Sequence, residues 1–317
     1  VWGQIKKARI TLIKYRGNLY MNYKNITVAG GGVLGSQIAF QAAFKGFEVS
    51  LYDINDSALE MTDTRLKNYM ERYKNDIGAA QEELEAAYNR LTLSTDLAKA
   101  VENADLVIEA VPEVIEIKKD FYQKLAKVAP EKTVFASNTS TLLPSQFAEF
   151  TGRPHKFLAL HFANEIWKFN VAEIMKHPGT KEEYFNEVIE FAKVIGMVPI
   201  PIHKEQPGYV MNSLLVPFLF AAQKLLINGV SDPESIDKTW MLTAGAPFGP
   251  FAWLDIIGIN TAYNVAKSMG EQGDEESAQI ADYLKREQID KEKLGKQTGE
   301  GFYKYPNPKY LDSDFLK

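Results

Sequence analysis

The chain has 317 residues, a formal net charge of -5, 45% hydrophobic and 24% charged residues, and no cysteine. The length suggests about two domains of ordinary globular composition. The acidic balance argues against a general nucleic-acid or membrane-surface binder, since both need a basic face. The lack of cysteine excludes disulfides and thiolate metal sites, and it fits a reducing cytoplasm. No uninterrupted apolar run approaches the roughly 18 residues needed to cross a bilayer.

Residues 1–20 are basic and carry only short apolar runs, unlike a signal-peptide core. Met21 follows, and we expect it to be the natural start, with 1–20 a leader that is not native. A native basic arm is the alternative. From Ile26 the chain reads apolar to Ala29, breaks into three glycines, turns helical from Ser36 to Lys45, and becomes apolar again from Phe47 to Tyr52. This is a strand, a glycine turn, a helix and a second strand, with Gly46 placed to end the helix.

In that context Gly30-x-Gly32-x-x-Gly35 has a role at each position. Gly30 allows a tight turn, Gly32 lets backbone amides approach a pyrophosphate, and Gly35 lets helix and strand lie close. The helix N-terminus offers free amides and a positive dipole end to phosphates. Gly30, Gly32, Val33, Leu34 and Gly35 are therefore candidate cofactor contacts. Asp53 lies 18 residues after Gly35, near the spacing of an acid that binds the adenosine ribose hydroxyls. Its charge repels a 2′-phosphate, and Ile54 and Asn55 supply no cation, so the cofactor expected is NAD and not NADP. The alternative is a glycine-rich turn with Asp53 as a helix cap.

Residues 57–100 are charge-rich, with Leu59, Leu66, Tyr69, Met70 and Tyr73 as apolar anchors. They read as two amphipathic helices outside a sheet. Strand-like runs recur at 106–111, 133–138, 157–162, 170–175 and 197–202, several of them separated by helical stretches. The fold class expected is an α/β doubly wound sheet of Rossmann type, mostly parallel in its first part. The pattern breaks at 203–210, and long helical stretches follow, one of them with Asp232 as cap and Pro233 at its first position. We place a boundary near 205, giving an NAD-binding domain over 21–205 and an all-α domain over 206–317. Leu214 to Ala222 is too apolar all round for an exposed helix, so it is expected to be deeply buried or in a subunit interface. The segment 295–305 reads as an ordered closing turn.

Two residues stand out as chemistry. His161 closes an apolar strand, and Glu173 sits in another, each six residues from Trp167. A hairpin turning there would bring them face to face, and a carboxylate beside an imidazole orients a general base. A core histidine satisfied by a buried glutamate fits the spacing as well. His155, His177 and His203 lie in polar contexts and read as surface residues. No histidine pair has metal spacing, so no metal site is expected. Ser140, in the run 137–141 after a strand, could donate to a substrate oxygen or cap a following helix. Asn212 opens the first long helix of the second half and could equally be its cap.

Beyond these local readings, the chain resembles the 3-hydroxyacyl-CoA dehydrogenase family from about residue 24 to about residue 305. The motifs are GGGVLGSQIA, EAVPEVIEIK, ASNTSTL, LHFAN followed by VAEI, PGYVMNSLL, APFGPFAWLDIIG and TGEGFYKY. The resemblance implies that His161 is the catalytic acid/base and Glu173 its partner. It implies that Ser140 and Asn212 hydrogen-bond the reacting oxygen, with Asn164 beside it, and that Glu113 and Lys118 line the nicotinamide side. It implies a homodimer formed through the helical domain.

The first expectation is thus NAD-dependent interconversion of 3-hydroxyacyl-CoA and 3-ketoacyl-CoA, on short chains such as 3-hydroxybutyryl-CoA. The sequence also looks close to a bacterial diketoreductase of the same family, so the second expectation is NADH-dependent reduction of free β-keto or diketo acids and esters. Tyr69 and Asp76 stand where the family carries a serine and a lysine that touch coenzyme A, and Asp76 would repel its phosphates. Glu165, Trp167 and Lys168 replace a proline and small apolar residues. A third reading, from another class, is a non-catalytic, crystallin-like NAD-binding protein, against which His161, Glu173, Ser140 and Asn212 all argue.

Overall fold

A computed structural model describes residues 23–317, so the expected leader lies outside the described residues. The chain divides into two compact units, one ending at Tyr209 and one beginning at Val210.

The first unit is built on eight strands: β1 (Asn25–Ala29), β2 (Glu48–Tyr52), β3 (Leu91–Ser94), β4 (Leu106–Glu109), β5 (Val134–Ser137), β6 (Phe157–Phe162), β7 (Val171–Met175) and β8 (Val198–Ile202). They form one sheet in the order β3-β2-β1-β4-β5-β6-β7-β8. Neighbours run parallel except β6 and β7, which are antiparallel. Six helices cross between strands: α1 (Val33–Phe44), α2 (Asp56–Ile77), α3 (Gln81–Asn89), α4 (Leu97–Val101), α5 (Ile115–Val128) and α6 (Glu182–Val194).

The strands are apolar because both faces are covered. Val28 and Ile108 pack into one core with α1, α2, α3 and α6 residues such as Phe40, Tyr73, Leu84 and Phe191. Their neighbours Ala29 and Val107 point the other way, into a second core with Phe121, Tyr122 and Leu125 of α5. This is the two-residue alternation of a pleated strand.

Residues 57–100 hold more than the two helices expected. α2 and α3 are present, with Leu66, Tyr69 and Tyr73 buried and Leu59 and Met70 partly so. The edge strand β3 and the short α4 follow them. Three half-exposed residues and the exposed Thr92 carry too little alternation to announce a strand, and β3 forms by pairing with β2.

The second unit contains α7 (Tyr209–Ile227), whose first residue belongs to the first unit, then α8 (Pro233–Ala244), α9 (Pro250–Ile257), α10 (Ile259–Glu271) and α11 (Glu275–Glu287). Asp232 caps α8 by accepting from the Ser235 amide. Leu219, Phe220 and Ala222 of α7 join Phe251, Leu254, Ile280 and Leu284 in the core of this unit. Leu214, by contrast, is 70% exposed, so the apolar stretch is buried along part of its circumference. α7 is long and apolar enough to cross a membrane by length and composition, and Lys224 is its one charged residue. Two buried carboxylates organise the unit. Asp237 accepts from the Phe251 and Ala252 amides at the start of α9, at 2.8 and 3.0 Å, and from the Tyr303 hydroxyl at 2.9 Å. Asp255 accepts from the Phe302 and Tyr303 amides, both at 2.8 Å, which holds the closing turn. Burial pushes both carboxyls up to about 6 despite these donors.

Candidate active site

The chain leaves β1 at Gly30, whose φ is +101° and whose amide donates to the Tyr52 carbonyl at 2.8 Å. A Cβ at Gly30 would lie 2.5 Å from the Ala110 carbonyl oxygen, and one at Gly35 would lie 1.9 Å from that of Gly30. Both positions therefore require glycine, the first for its backbone conformation and the second for close approach. Gly32 is the N-cap of α1, makes no side-chain cap, and has open space where a Cβ would stand. The first-turn amides of α1 thus face a cradle without a side chain in it, which fits a pyrophosphate. Val33, more than half exposed, borders this cradle, while Leu34 packs partly onto the core.

Asp53 directly follows β2, and its side chain turns back to this loop. Its Oδ2 accepts from the Gly31 amide and its Oδ1 from the Ile54 amide, each at 2.7 Å. Gly31 itself escaped the motif reading. Its carbonyl accepts from Thr62 at 2.9 Å and from Arg65 at 3.2 Å, and a Cβ would collide with the Thr62 hydroxyl. Arg65 brings to the loop a cation that the residues beside Asp53 did not announce.

On the other side of β1, the carboxyl ends of β4 and β5 hold a cluster of charges. Lys118 of α5 is 1% exposed and reaches Glu109 Oε1 at 2.6 Å and Glu113 Oε2 at 3.2 Å. Glu113 accepts from the Ser140 and Thr141 amides at 2.9 and 3.1 Å, from the Thr141 hydroxyl at 3.0 Å, and from the Thr139 hydroxyl. Burial alone would raise its carboxyl; the Thr139 hydroxyl, Lys118 and the Thr141 amide outweigh that and bring it down to about 2. Ser140 is therefore fixed through its backbone, with its half-buried side chain left for other contacts. No α-helix follows for Ser140 to cap; the chain makes a 3-10 turn at Pro144–Gln146 instead.

The antiparallel pairing of β6 and β7 places His161 opposite Glu173. His161 Nδ1 lies 3.0 Å from Glu173 Oε2, with both side chains buried. The carboxylate can only accept, so Nδ1 carries the hydrogen and Nε2 is left to accept or return a proton. Two neighbours border the His161 end of β6, Asn138 from the ASNTSTL motif and Tyr209 from PGYVMNSLL, and neither stands out within its motif. The Asn138 side chain accepts from the Phe162 amide at 3.1 Å, and the buried Tyr209 ring lies 4.8 Å from the imidazole. Tyr209 takes a φ of 57°, a conformation costly for a bulky residue and commonly kept at functional positions. Asn164 is exposed in the loop after β6. Asn212 lies in the second unit as the fourth residue of α7, so it is not that helix's cap.

The loop from β6 to β7 is clasped by α2. Trp167 Nε1 donates to Asp76 Oδ2 at 2.9 Å, and Lys168 pairs with the same oxygen at 2.9 Å. Lys168 and Trp167 together lower the Asp76 carboxyl. Arg72 pairs with Glu165 at 2.6 Å and lies 4.5 Å over the Trp167 ring. Gln37 of α1 accepts from the Glu165 amide at 2.8 Å, holding Glu165 at a φ of 59°.

Of the remaining histidines, His203 is exposed and His155 half-buried, but His177 is buried, contrary to the surface reading. Its Nδ1 accepts from the Gly179 amide at 3.1 Å and its Nε2 donates to the Pro154 carbonyl at 3.0 Å. Among the described residues, no group of three or more histidine, aspartate or glutamate side chains is placed to hold a metal ion.

A glycine cradle and an acid just after β2 on one side of the strand-order reversal, with a paired histidine at the same sheet edge, fit a dinucleotide-dependent oxidoreductase. Residues 25–206 match the NAD-binding domain of 3-hydroxyacyl-CoA dehydrogenase, and residues 208–305 match its C-terminal domain. The chain belongs to the 3-hydroxyacyl-CoA dehydrogenase family, whose members are NAD-dependent oxidoreductases. It is 36% identical over 287 residues to the mitochondrial hydroxyacyl-coenzyme A dehydrogenase of Rattus norvegicus, covering 89% of this chain and 91% of that one. It is 34% identical over 285 residues to the probable 3-hydroxybutyryl-CoA dehydrogenase of Bacillus subtilis, covering 90% and 98%. Among solved structures it is 52% identical to a diketoreductase described as acting on dicarbonyl compounds, with a TM-score of 0.86 and coverage of 89% and 99%.

Proposed function

We propose that the chain uses NADH to reduce the 3-keto group of small keto or diketo acids and esters that are not attached to coenzyme A. The clasp between α2 and the β6–β7 loop carries this reading. Arg72 and Lys168 are the cations of that surface, and each is engaged by a carboxylate of the same clasp. Neither is left to meet the phosphates of coenzyme A, and Asp76 and Glu165 add negative charge there. The higher identity to the diketoreductase than to the CoA dehydrogenases supports the same choice. NAD-dependent interconversion of 3-hydroxyacyl-CoA and 3-ketoacyl-CoA is the second reading, favoured by the family and by the names of its curated relatives.

His161 performs the proton step. In its charged form it gives the Nε2 proton to the carbonyl oxygen as negative charge develops there. Glu173, at 3.0 Å from Nδ1, stabilises the imidazolium and keeps Nε2 directed outward. Ser140, held by its amide on Glu113, donates to the same oxygen. The bound cofactor supplies the hydride, and the protein's part is position and proton transfer. In the reverse direction neutral His161 takes the hydroxyl proton.

The homodimer remains part of this proposal, supported by exposed apolar side chains of the second unit, among them Leu214, Trp240 and Leu242. Sedimentation that gave only monomer would remove it. The substrate reading is tested by kcat/KM on a free 3-keto ester against the same acyl group on coenzyme A.

A further inference from the structure

Glu109 ends β4 directly beside Ala29 of β1, where the strand order reverses. It has no solvent exposure and accepts four hydrogen bonds: from the Val111 amide at 2.9 Å, Lys118 at 2.6 Å, the Tyr122 hydroxyl at 3.2 Å and the Ser137 hydroxyl at 2.6 Å. Four donors and no acceptor define an ionised carboxylate. With Lys118 and Glu113 it forms a cluster of formal charges -1, +1 and -1, net -1 (Lys118 bridges the two acids). A structural ion pair needs only one acid for one lysine. The second acid leaves an excess negative charge at the edge of the sheet, in a setting of low dielectric.

The direction of that excess has a chemical meaning. In a doubly wound sheet a dinucleotide lies across the reversal of strand order. Asp53 and the glycine loop lie on the β1–β2 side, so the other half of the cofactor falls over the carboxyl ends of β4 and β5, where this cluster sits. The nicotinamide ring is a cation when oxidised and neutral when reduced.

We propose that the Glu109–Lys118–Glu113 cluster biases the bound cofactor toward its oxidised form, with Glu109 as the residue that sets the excess charge. The inference rests on the NAD-binding reading and deepens the reductive one, because favouring oxidised cofactor makes bound NADH a stronger hydride donor. Glu109 acts through charge and through Lys118, and it is a positioning residue.

The test is Glu109→Gln in the full chain, which keeps the shape and an acceptor for the Val111 amide and Lys118, while its NH2 meets the Tyr122 and Ser137 hydroxyls, which can turn to accept. Dissociation constants for NADH and NAD+ are measured without substrate, by cofactor fluorescence and by competition. The ratio of the NAD+ constant to the NADH constant should rise by about tenfold, the scale expected for one unit charge in a partly screened site, and Glu109→Asp should restore the original ratio. Equal weakening of both forms by Gln and Asp alike would mean that Glu109 only supports packing, and would overturn the proposal. An unchanged ratio in a folded Glu109→Gln protein would overturn it as well. If Glu109→Gln does not fold, Glu113→Gln removes the same charge from the partly exposed end of the cluster and must move the ratio in the same direction. Failure of the unsubstituted protein to bind either form would instead strike the NAD-binding reading.

Discussion

His161 and Glu173 sit directly opposite each other on the one antiparallel pair of the sheet, 3.0 Å apart at Nδ1 and Oε2. A parallel pairing would have joined them only through a long crossover; the antiparallel turn at 163–170 sets the register by itself. Glu173→Gln keeps the shape but can present an amide hydrogen to Nδ1, which disturbs the tautomer and withdraws the stabilising charge. kcat should fall by roughly 10²–10⁴, the range for loss of an oriented general acid or base, with NADH affinity within a factor of about two. Steady-state kinetics with fluorescence titration of NADH would check this. Loss of NADH binding along with activity would make the pair structural.

Asp53 is expected to separate the two cofactor classes. Asp53→Ala should weaken NADH by about tenfold through loss of a charged hydrogen-bonding partner and narrow the preference over NADPH, since the repulsion of a 2′-phosphate is gone. Arg65, bonded to the Gly31 carbonyl, is a cation already near that loop. Kinetics with both cofactors decide this, and a preference for NADPH in the unsubstituted protein would contradict the assignment.

The clasp predicts a gain of activity as well as a loss. Asp76→Ala removes a negative charge and leaves Lys168 only its longer pairing with Glu165 at 3.8 Å, so kcat/KM on acetoacetyl-CoA should rise relative to that on a free 3-keto ester by roughly twofold to fivefold, the effect of about one exposed charge. An unchanged ratio would remove the clasp from substrate selection.

Asp237 and Asp255 give the second unit a pH signature. Their carboxyls stand at about 6 when folded, above their ordinary value of 3.8. The folded protein therefore holds protons that the unfolded chain releases. Their contribution to stability is full below about pH 4 and is lost as pH rises through about 6. Asp237→Asn should flatten the pH dependence of unfolding across that window by on the order of 2 kcal/mol. Denaturant unfolding at a series of pH values is the check, and an identical slope in variant and parent would refute it.

Much of this arrangement was legible in residue order. The glycines at 30, 32 and 35 constrain the backbone so tightly that their spacing implies their geometry, and Asp53 follows from strand length. His161 and Glu173 were visible as a symmetric pair about Trp167. What stayed hidden depends on tertiary contact. Strand β3 exists because β2 offers an edge. Gly31 matters because Thr62, 31 residues on, packs against it. Glu109 falls inside the apolar run 106–111 with nothing to mark it, and only the fold surrounds it with Lys118, Tyr122 and Ser137. Likewise, Asp76 read as a charge that repels phosphates, while its bonds to Trp167 and Lys168 required the β6–β7 loop to come back onto α2.

The most direct test of the account is NADH oxidation by the purified protein, followed by absorbance, with acetoacetyl-CoA, ethyl acetoacetate and a 3,5-diketo ester at equal concentration. The account predicts higher kcat/KM on the free esters than on acetoacetyl-CoA, with all activity lost to within about a hundredth in His161→Gln. A kcat/KM on acetoacetyl-CoA far above both esters would contradict it and would make the chain a 3-hydroxyacyl-CoA dehydrogenase in which the α2 clasp does not face the substrate.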